Sequence, residues 1–345
     1  MIAIHLVTWN GAKYIPELFA SLRGQQFREF QLVIYDNGSV DATVVAIEKQ
    51  LQEAPAFNYT FTKGESNIGF APAHNLLMRE STAEYVLLLN QDMQLMPEYV
   101  LRLKQCLDGH PDAGIISGRL MKWQFGETWN HGRTDVIDSL GLRVLRNRRV
   151  TELHTGERWT DVSSQLRYTP DGLVEVFGVS GAAPMIRRAA AMDVALDGQM
   201  FDESYFSYKE DVDLAWRMRS AGWNAYLVPD AVIYHDRSAA GPRELADSVA
   251  AANRASMRPA TRAYSYRNHL FTLFKNEYIT NYLRDWPWIE WYEWKKFVYL
   301  LFREPRTWVA GFQVARQYPQ LMRKRKMIKS KRRVKAGALR KWWMK

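Results

Sequence analysis

Three carboxylates lie close together in the acidic run Glu210-Asp211-Val212-Asp213, inside a helix predicted over 206–221. Negative side chains in the first turn of a helix interact favourably with the helix dipole, so the run suits a simple capping role. It also suits chemistry, because a carboxylate within hydrogen-bond reach can take the proton from an attacking hydroxyl group. Neighbouring acids would raise the proton affinity of such a base by repulsion. The run by itself leaves both interpretations open.

Asp92 and His235 form a second candidate pair. Each follows an apolar segment that is predicted as a buried strand, over 85–89 and 231–234. One carboxylate does not hold a hard divalent cation alone, but it can do so together with diphosphate oxygens, water and one further ligand. His235 is a candidate for that ligand. The alternative is structural, with Asp92 capping a turn and His235 satisfied within the fold or at its surface.

Alternating strand and helix signals in the first part of the chain would position these groups. Short apolar runs predict strands over 2–8, 30–35, 57–62 and 85–89. Helical spacing and turn residues predict helices over 12–25, from 39 or 41 to 53, over 72–80 and over 97–109. Continuous apolar strands separated by helices indicate a parallel sheet covered on both faces. The predicted fold class is therefore α/β.

Polar clusters follow the predicted strands. They are Thr8-Trp9-Asn10, Asp36-Asn37-Gly38, Asn67-Ile68-Gly69 and Asn90-Gln91-Asp92. In open parallel sheets, ligands bind beyond the carboxyl ends of the strands. We therefore expect these clusters to converge on one edge of the sheet.

The later part of the chain is less regular. Residues 124–172 are polar and Arg-rich without a clear period, which fits a hairpin or a mobile loop over the site. Apolar character returns over 174–185, and two strands are predicted over 223–228 and 231–234. From about residue 242 the pattern is helical to the end.

Composition excludes several classes of protein. The 345 residues contain one cysteine, Cys106, so neither an intrachain disulfide nor a metal site of several thiolates can form. Apolar residues make up 47% of the chain, yet no window is long and apolar enough for a membrane-spanning helix. The chain starts with a predicted strand and not with a secretory signal, and we therefore expect a cytoplasmic protein.

Positive charge and tryptophan are concentrated at the C-terminal end. The net charge is +10, but residues 281–345 hold 18 Lys/Arg and 4 Asp/Glu, which leaves the rest mildly acidic. Seven of the 13 Trp lie in the same segment. Aromatic residues interleaved with cations suit an anionic membrane surface, and we expect peripheral attachment to the inner face of the cell membrane. Nucleic-acid binding, a solvated tail and an oligomer contact are the alternatives, and we expect no nucleic-acid partner.

The ordered set of motifs resembles the family 2 glycosyltransferases with the GT-A fold, and in particular the bacterial rhamnosyltransferase-like members that build surface polysaccharides. The resemblance is carried by Val7-Thr8-Trp9-Asn10, Asp36-Asn37-Gly38-Ser39, Asn67-Ile68-Gly69-Phe70-Ala71 with Asn75, Leu88-Leu89-Asn90-Gln91-Asp92, Ser180-Gly181-Ala182-Ala183 with Ile186-Arg187-Arg188, and Glu210-Asp211-Val212-Asp213-Leu214 with Arg217, Gly222 and His235. It implies a GT-A domain over 1–240 with a mainly parallel nucleotide-binding sheet flanked by helices. A helical, basic C-terminal extension over 241–345 would follow.

The resemblance also implies roles for individual residues. The implied nucleotide-binding residues are Thr8, Asn10, Asp36, Asn67, Asn75 and Asn90. The implied donor-sugar contacts are Gly181 and Ala182, and the implied ligands of Mg²⁺ or Mn²⁺ are Asp92 and His235. Asn90 stands where the metal-binding motif of the family begins with aspartate.

For the reaction itself, the resemblance makes Asp211 the catalytic base and Glu210 an acceptor contact. Asp213 is interpreted as structural. Arg217 either approaches the diphosphate or forms a structural salt bridge.

These roles imply an inverting, metal-dependent transfer of a sugar to a hydroxyl group of a saccharide acceptor, commonly lipid-linked. The expected donor is dTDP-L-rhamnose, with a UDP-sugar as the alternative. A second hypothesis is a catalytically silent sugar-nucleotide-binding subunit of an assembly complex, which Asn90 supports. A nucleotidyltransferase is disfavoured, because residues 8–12 are not a Gly-rich, basic phosphate-binding loop.

Overall fold

The computed structural model describes residues 1–53, 57–126, 132–236, 254, 259–305, 307 and 311–344. The strands are β1 (Ile2–Thr8), β2 (Phe30–Asp36), β3 (Asn58–Lys63), β4 (Tyr85–Asn90), β5 (Met93–Leu95), β6 (Ala113–Trp123), β7 (Arg133–Ser139), β8 (Leu142–Leu145), β9 (Val150–Glu152), β10 (Val174–Glu175), β11 (Met185–Arg187), β12 (Asn224–His235) and β13 (Trp343–Met344).

The α-helices are α1 (Ile15–Arg23), α2 (Thr43–Glu53), α3 (Phe70–Glu80), α4 (Tyr99–Gly109), α5 (Trp159–Val162), α6 (Arg188–Asp193), α7 (Glu210–Ser220), α8 (Pro259–Asn276), α9 (Ile279–Arg303), α10 (Phe312–Ser330) and α11 (Ala336–Leu339). Short 3-10 helices cover Ala12–Tyr14, Ser163–Gln165, Glu203–Tyr205 and Arg340–Trp342.

The central sheet has the strand order β10-β12-β6-β11-β4-β1-β2-β3. Strands β1 to β4 pair in parallel, as their continuous apolar sequences predict, and β6 and β12 are also parallel. Strand β11 runs antiparallel to both of its neighbours, β4 and β6. It joins the parallel half at residues 1–90 to a second half that also contains the antiparallel strands β5, β7 and β10.

Helices cover both faces of the sheet, as predicted. Helices α1 and α4 place Phe19 and Leu103 in one apolar cluster, together with the inward-facing residues of β1 and β2. Helices α3 and α7 place Met78 and Leu214 in a second cluster. Burial of these faces removes apolar surface from water, which holds the two layers of helices on the sheet.

One continuous strand, β12, replaces the two strands predicted over 223–228 and 231–234. Its pairing with β6 shifts register between Val228 and Val232, so the strand absorbs Pro229 and Asp230 as an irregularity and continues to His235. Gly118 of β6 faces this point. A Cβ atom there would lie 2.1 Å from the carbonyl oxygen of Ala231, so only glycine permits the close approach.

The segment 124–172 is ordered where the structure describes it. Strand β7 adds to β6, and β8 pairs with β9 as an antiparallel hairpin, one of the two predicted alternatives. The prediction that the chain is helical to its end is wrong, because β13 pairs in parallel with β8. Trp343 is buried there, with its ring centroid 5.2 Å from that of Trp216. The burial of Trp343 against Trp216 stabilises the strand more than a continued helix would.

The C-terminal helices pack on the sheet domain. Helix α10 lies along α8, and Lys275 of α8 is buried between Asp202 and Asp213. Within the described residues, no helix is both long and apolar enough to cross a membrane. The predicted domain boundary at residue 240 lies outside the described residues. So does Trp308, one of the seven Trp of the C-terminal segment.

Candidate active site

The ends of β1 and β2 are joined through Thr8 and Asp36, which are partners in the sheet register. The hydroxyl group of Thr8 donates to Asp36 Oδ1 at 2.9 Å, and Ser39 donates to the same carboxylate from its backbone N–H (2.8 Å) and its hydroxyl (2.6 Å). Both Thr8 and Asp36 are buried. Thr8 and Asp36, two of the six predicted nucleotide-binding residues, therefore lie together, and the sheet fixes the position of the Asp36 carboxylate.

Asn10 ties the loop after β1 to the loop after β2. Its side-chain oxygen accepts from the backbone N–H of Val40 at 2.8 Å, and its own N–H donates to Ser39 Oγ at 2.9 Å. Asn10 has a φ of 49°, a left-handed conformation that asparagine tolerates better than most residues.

Asn67 is linked to the loop after β2 through Asn37, for which no role was predicted. The side chain of Asn37 donates to Asn67 Oδ1 at 3.2 Å and accepts from the backbone N–H of Ile68 at 2.8 Å. The loops after β1, β2 and β3 thus form one polar rim, as expected from the topology.

Asn75 lies in a different environment from the other predicted nucleotide-binding residues. It is buried in α3, where its side chain donates to the carbonyl oxygen of Phe201 (2.8 Å) and accepts from the N–H of the same residue (3.0 Å). It also donates to Glu203 at 3.1 Å. These bonds hold the segment before α7 against α3, and a direct nucleotide contact for Asn75 stays a prediction.

The motif at the end of β4 contacts both sides of the site. The backbone N–H of Asn90 donates to the carbonyl oxygen of Ala182 at 3.0 Å. The side-chain amide of Gln91 exchanges two hydrogen bonds with the backbone of Trp9, at 2.9 and 3.0 Å. A Cβ atom at Gly11 would lie 2.2 Å from the end of the Gln91 side chain, so a larger residue there would displace the amide and its two hydrogen bonds. Gln91 was not predicted as a site residue.

Asp92 and His235 meet at the ends of their strands. His235 Nε2 lies 3.3 Å from Asp92 Oδ2, and Nδ1 lies 2.9 Å from Asp138 Oδ2. His235 is buried, whereas a quarter of the Asp92 side chain is exposed. Burial lowers the pKa of His235, but the hydrogen bonds to Asp138 and Asp92 outweigh it and raise the pKa to about 9. The site therefore stabilises positive charge.

These residues fit a divalent cation that binds together with a donor. Within the described residues there is no group of three or more His, Cys, Asp or Glu side chains arranged to hold a metal ion. Asp92 and His235 offer two ligand atoms, and Asp138 can fix the ring of His235 from behind, as carboxylates do in metal sites. Such a set leaves coordination positions for diphosphate oxygens and water.

Asp211 lies beside the segment predicted to face the donor sugar. The backbone N–H of Gly181 donates to Asp211 Oδ2 at 3.2 Å. A Cβ atom at Gly181 would lie 3.4 Å from Asp211 Cβ, so the two residues are in van der Waals range of each other. Ala182 in turn bonds Asn90. The predicted base and the strand end that carries Asp92 are thus linked through the segment 181–182.

Glu210 is buried, and within the described residues its Oε2 atom has no hydrogen-bond partner. Burial and repulsion by Asp211 raise the pKa of Glu210 well above its usual value. The raised proton affinity expected at the acidic run therefore falls on Glu210. A protonated Glu210 can donate a hydrogen bond to a ligand.

The turn before α7 is strained, and Asn268 of α8 supports it. Phe206, Tyr208 and Lys209 all have a positive φ, between 63° and 73°. The side-chain amide of Asn268 donates to backbone oxygens in this turn, including that of Tyr208 at 2.7 Å. Strain of this kind persists only when the surrounding contacts hold it, and it is common at functional sites. No motif in the sequence identified Asn268 as part of the site.

Asp213 and Arg217 are structural, as was expected for Asp213. Arg217 Nε donates to Asp213 Oδ2 at 2.9 Å, and its other nitrogens donate to the carbonyl oxygens of Val194 and Met200, each at 2.7 Å. All these groups are buried. Of the two interpretations of Arg217, the structure supports the salt bridge.

The family model described as Glycosyl transferase family 2 matches residues 3–191, more than half of the chain. The chain belongs to the family 2 glycosyl transferases. It is thus a glycosyltransferase that uses a nucleotide-sugar donor, and the family predicted from the motifs is confirmed. One relative is the N-acetylglucosaminyl-diphospho-decaprenol L-rhamnosyltransferase of Mycobacterium tuberculosis, 27% identical over 262 residues that cover 73% of this chain and 81% of the relative.

Solved structures share the fold of this glycosyltransferase. Residues 1–349 of S. aureus TarS in complex with UDP-GlcNAc match 99% of this chain and 92% of that chain, with a TM-score of 0.53 and 18% identity. The mannosyltransferase PcManGT from Pyrobaculum calidifontis, in complex with GDP-Man and Mn²⁺, matches 99% and 87%, with a TM-score of 0.51 and 15% identity. The fold is GT-A, as predicted.

Proposed function

We propose that this glycosyltransferase moves a hexose, with rhamnose favoured, from a nucleoside-diphosphate donor to a hydroxyl group of a saccharide acceptor, with metal dependence and inversion. One observation carries the proposal. Hydrogen bonds from Asn90 to Ala182 and from Gly181 to Asp211 link the strand end that carries Asp92 with the predicted base, which supports a single site that includes His235.

Asp92 and His235 would hold Mg²⁺ or Mn²⁺, with Asp138 orienting the ring of His235. The ion would supply Lewis-acid stabilisation for the charge that grows on the departing nucleoside diphosphate. Crystals of PcManGT with GDP-Man and Mn²⁺ support divalent metal use on this fold. Thr8, Asn10, Asp36, Asn67, Asn75 and Asn90 would bind the nucleotide, and the hydrogen bonds between the loops after β1, β2 and β3 support this for the first four.

Asp211 would accept the proton of the attacking hydroxyl group, since its carboxylate is fixed by Gly181 beside the proposed sugar position. Protonated Glu210 would donate a hydrogen bond to the acceptor. Attack on the face of the sugar opposite the diphosphate inverts the anomeric carbon in one step. No covalent intermediate is needed, and Cys106, buried in α4, takes no part.

The donor and acceptor are proposed from the relatives. The Mycobacterium tuberculosis relative is named for rhamnose transfer to a diphospho-decaprenol acceptor, which supports dTDP-rhamnose and a lipid-linked saccharide in surface polysaccharide synthesis. TarS binds UDP-GlcNAc, so a UDP-sugar is the second candidate donor. A lipid-linked acceptor places the protein on the cytoplasmic face of the cell membrane, held peripherally by an anionic surface.

A donor-hydrolysis screen tests the proposal. Purified protein is incubated with dTDP-rhamnose, UDP-GlcNAc, UDP-glucose or GDP-mannose, with Mn²⁺ or with a chelator, and release of nucleoside diphosphate is measured. We expect one donor to be cleaved only with the metal. Asp211→Asn should lower that rate by about 10²–10⁴-fold, the usual contribution of a positioned base. Asp230→Asn is the matched control, because its carboxylate is exposed.

The outcomes separate the hypotheses. An unchanged rate in Asp211→Asn would remove Asp211 as the base. Tight binding of a nucleotide sugar without cleavage of any donor would favour the catalytically silent subunit.

A further inference from the structure

Helix α9 turns most of its large apolar side chains towards solvent. A surface helix of a globular protein normally turns its apolar residues inward and its charged residues outward. In α9 the buried residues are the polar Asn281 and Asp285 and the apolar Ile289 and Leu300, and Glu293 bonds His269 of α8. Nine large apolar side chains are 40–77% exposed. One of them, Trp288, has the guanidinium of Arg146 over its ring at 3.3 Å. The other eight are Ile279, Leu283, Trp286, Trp291, Trp294, Phe297, Leu301 and Phe302. We call these eight residues the outer face of α9.

Contacts on the inner side prevent the helix from rolling over to bury this face. Asp285 is fully buried and accepts from Arg146 (2.8 Å), Arg148 (3.1 Å) and Arg340 (2.8 Å). The amide of Asn281 donates to the carbonyl oxygen of Ala336 at 2.8 Å. Removing a buried carboxylate from its cations is costly, so these contacts fix the orientation of α9. The exposure of the outer face is a consequence of the fold.

The outer face is long and continuous. Twenty-five residues of helix span roughly 37 Å at about 1.5 Å per residue. The rings of Trp291 and Trp294 stack with centroids 5.3 Å apart, so they form a single broad surface. Glu290 also lies here, where it accepts from the hydroxyl of Tyr282 at 2.6 Å. Scattered exposed hydrophobic residues need no explanation, but a contiguous strip of this length marks an interaction site.

The composition of the strip matches a lipid interface. Tryptophan concentrates at headgroup depth, where its ring is apolar and its N–H stays close to water. Arg284 and Arg303 are exposed on the same helix, where they can meet the headgroups of anionic lipids. Helices of this kind lie in the plane of the interface with the apolar side about 5–10 Å deep.

We infer that the outer face of α9 is the surface by which this glycosyltransferase lies on an anionic lipid bilayer, with the aromatic side chains inserted at headgroup depth. The inference rests on the proposed function for its purpose, because a lipid-linked acceptor must be met at the bilayer.

The basic tail after residue 320 has another role, that of a clamp on the enzyme. Its cations pair within the protein: Arg323 with Asp197, Lys324 with Asp202, Arg333 with Asp193 and Arg340 with Asp285. Lys331 donates to two backbone oxygens, at 2.8 and 2.9 Å. Cations that are engaged in this way contribute less to lipid binding than their number in the sequence suggests. The lipid contact predicted for the basic, Trp-rich end is therefore assigned to α9.

Helix α9 also lies near the candidate active site. Glu293 of α9 lies 2.6 Å from His269 of α8, and the neighbouring Asn268 donates to the backbone oxygen of Tyr208 at 2.7 Å. Tyr208 belongs to the turn directly before Glu210. A bilayer against the outer face would therefore bring a lipid-linked acceptor to the side of the site that holds Glu210 and Asp211.

Vesicle binding tests the inference directly. The full-length protein and the triple variant Trp286→Ser/Trp294→Ser/Phe297→Ser are sedimented with vesicles of phosphatidylcholine containing phosphatidylglycerol. We expect the partition coefficient of the variant to fall roughly tenfold or more, since each inserted apolar side chain adds to binding. The matched control is Val45→Ser/Tyr59→Ser/Tyr168→Ser, which removes three exposed apolar side chains elsewhere and should bind as the wild type does.

Additional measurements separate the remaining outcomes. Sedimentation velocity without vesicles reports the oligomeric state. If the wild type is a dimer that the α9 variant converts to monomer, and neither binds vesicles, the outer face contacts a second copy and the inference is overturned. Equal vesicle binding by wild type and α9 variant overturns it as well. Circular dichroism and donor hydrolysis in solution should be unchanged in the α9 variant. If the wild-type protein hydrolyses donor but does not bind vesicles, the docking inference fails and the proposed function stands.

Discussion

Two buried centres of charge lie at α7, and they differ in how their charges are matched. In the first, Lys275 Nζ lies 2.5 Å from Asp202 and 2.9 Å from Asp213, and all three side chains are fully buried. In the second, Glu210 is buried beside Asp211, and within the described residues its Oε2 atom has no partner. Asp213 of the first centre and Glu210 of the second are three residues apart on α7.

The difference shows in the carboxyl groups. Burial raises the pKa of Asp213, but Lys275 and Arg217 outweigh it and hold the group ionised, with its pKa below the usual range. Burial and Asp211 both raise the pKa of Glu210. The first centre has its charges and hydrogen bonds satisfied, so it contributes to stability. The second has a buried carboxyl oxygen, Glu210 Oε2, that a ligand can bond. Both centres are buried, so their hydrogen-bond and charge partners, and not their burial, distinguish the structural centre from the candidate functional one.

Removal of Lys275 should have the largest effect on stability. In Lys275→Met, Asp202 and Asp213 stay buried without their shared cation, and we expect the free energy of unfolding to fall by about 3–5 kcal/mol. Urea denaturation followed by tryptophan fluorescence measures the change. The control is Lys329→Met on the exposed side of α10, which should change stability by less than about 0.5 kcal/mol. Equal midpoints for the two variants would show that the first centre is not held by its charges.

Asp138→Asn should instead affect function with little loss of stability. Asp138 lies 2.9 Å from His235 Nδ1 and orients the ring towards Asp92. Loss of such a supporting carboxylate typically costs about 10–100-fold in metal affinity or activity. The measurement is Mn²⁺ affinity in the presence of the donor nucleotide, by calorimetry, together with the Mn²⁺ dependence of donor hydrolysis. Asp135→Asn on the same strand is the control, because its carboxylate accepts hydrogen bonds from Thr160 at the surface and not from His235. Unchanged Mn²⁺ affinity would place Asp138 with the structural group.

The sequence predicted the first half of the fold and the polar rim at its strand ends for one physical reason. Strands β1 to β4 are short apolar runs in a parallel order, and the topology alone brings their polar ends together. Thr8, Asp36 and Asn67 lie on that rim as expected. The family assignment then follows from the order of the motifs, because each motif alone is equally compatible with a turn or a helix cap.

The features that were not predicted from the sequence depend on contacts between residues far apart along the chain. Asp138 lies 97 residues before His235, inside a segment with no clear period, so nothing local links the two. Asn268 supports the turn before α7 from a helix 60 residues away. The basic tail was interpreted from composition, which does not show that Arg323 and Lys324 are paired with Asp197 and Asp202. Composition identifies charge, but only the fold shows which charges are engaged.

Replacement of Glu210 by glutamine should raise stability, with a characteristic dependence on pH. The pKa of Glu210 is raised in the folded protein, so the group binds a proton more tightly there than in the unfolded chain. Its contribution to stability is complete below the unfolded pKa of about 4.3, and it is lost as the pH rises towards the folded pKa. Glutamine does not ionise. Glu210→Gln should therefore gain stability relative to the wild type between pH 5 and pH 8, by about 1.4 kcal/mol for each unit by which the pKa is raised within that window.

Urea denaturation of both proteins at pH 5 and pH 8 measures this gain. Glu65→Gln serves as the control, because Glu65 is exposed and its replacement should leave the difference between the two pH values unchanged. If Glu210→Gln behaves like Glu65→Gln, then Glu210 is ionised in the folded protein and the contrast between the two centres fails. If the gain appears while donor hydrolysis in solution is retained, the neutral side chain at this position is sufficient for donor cleavage.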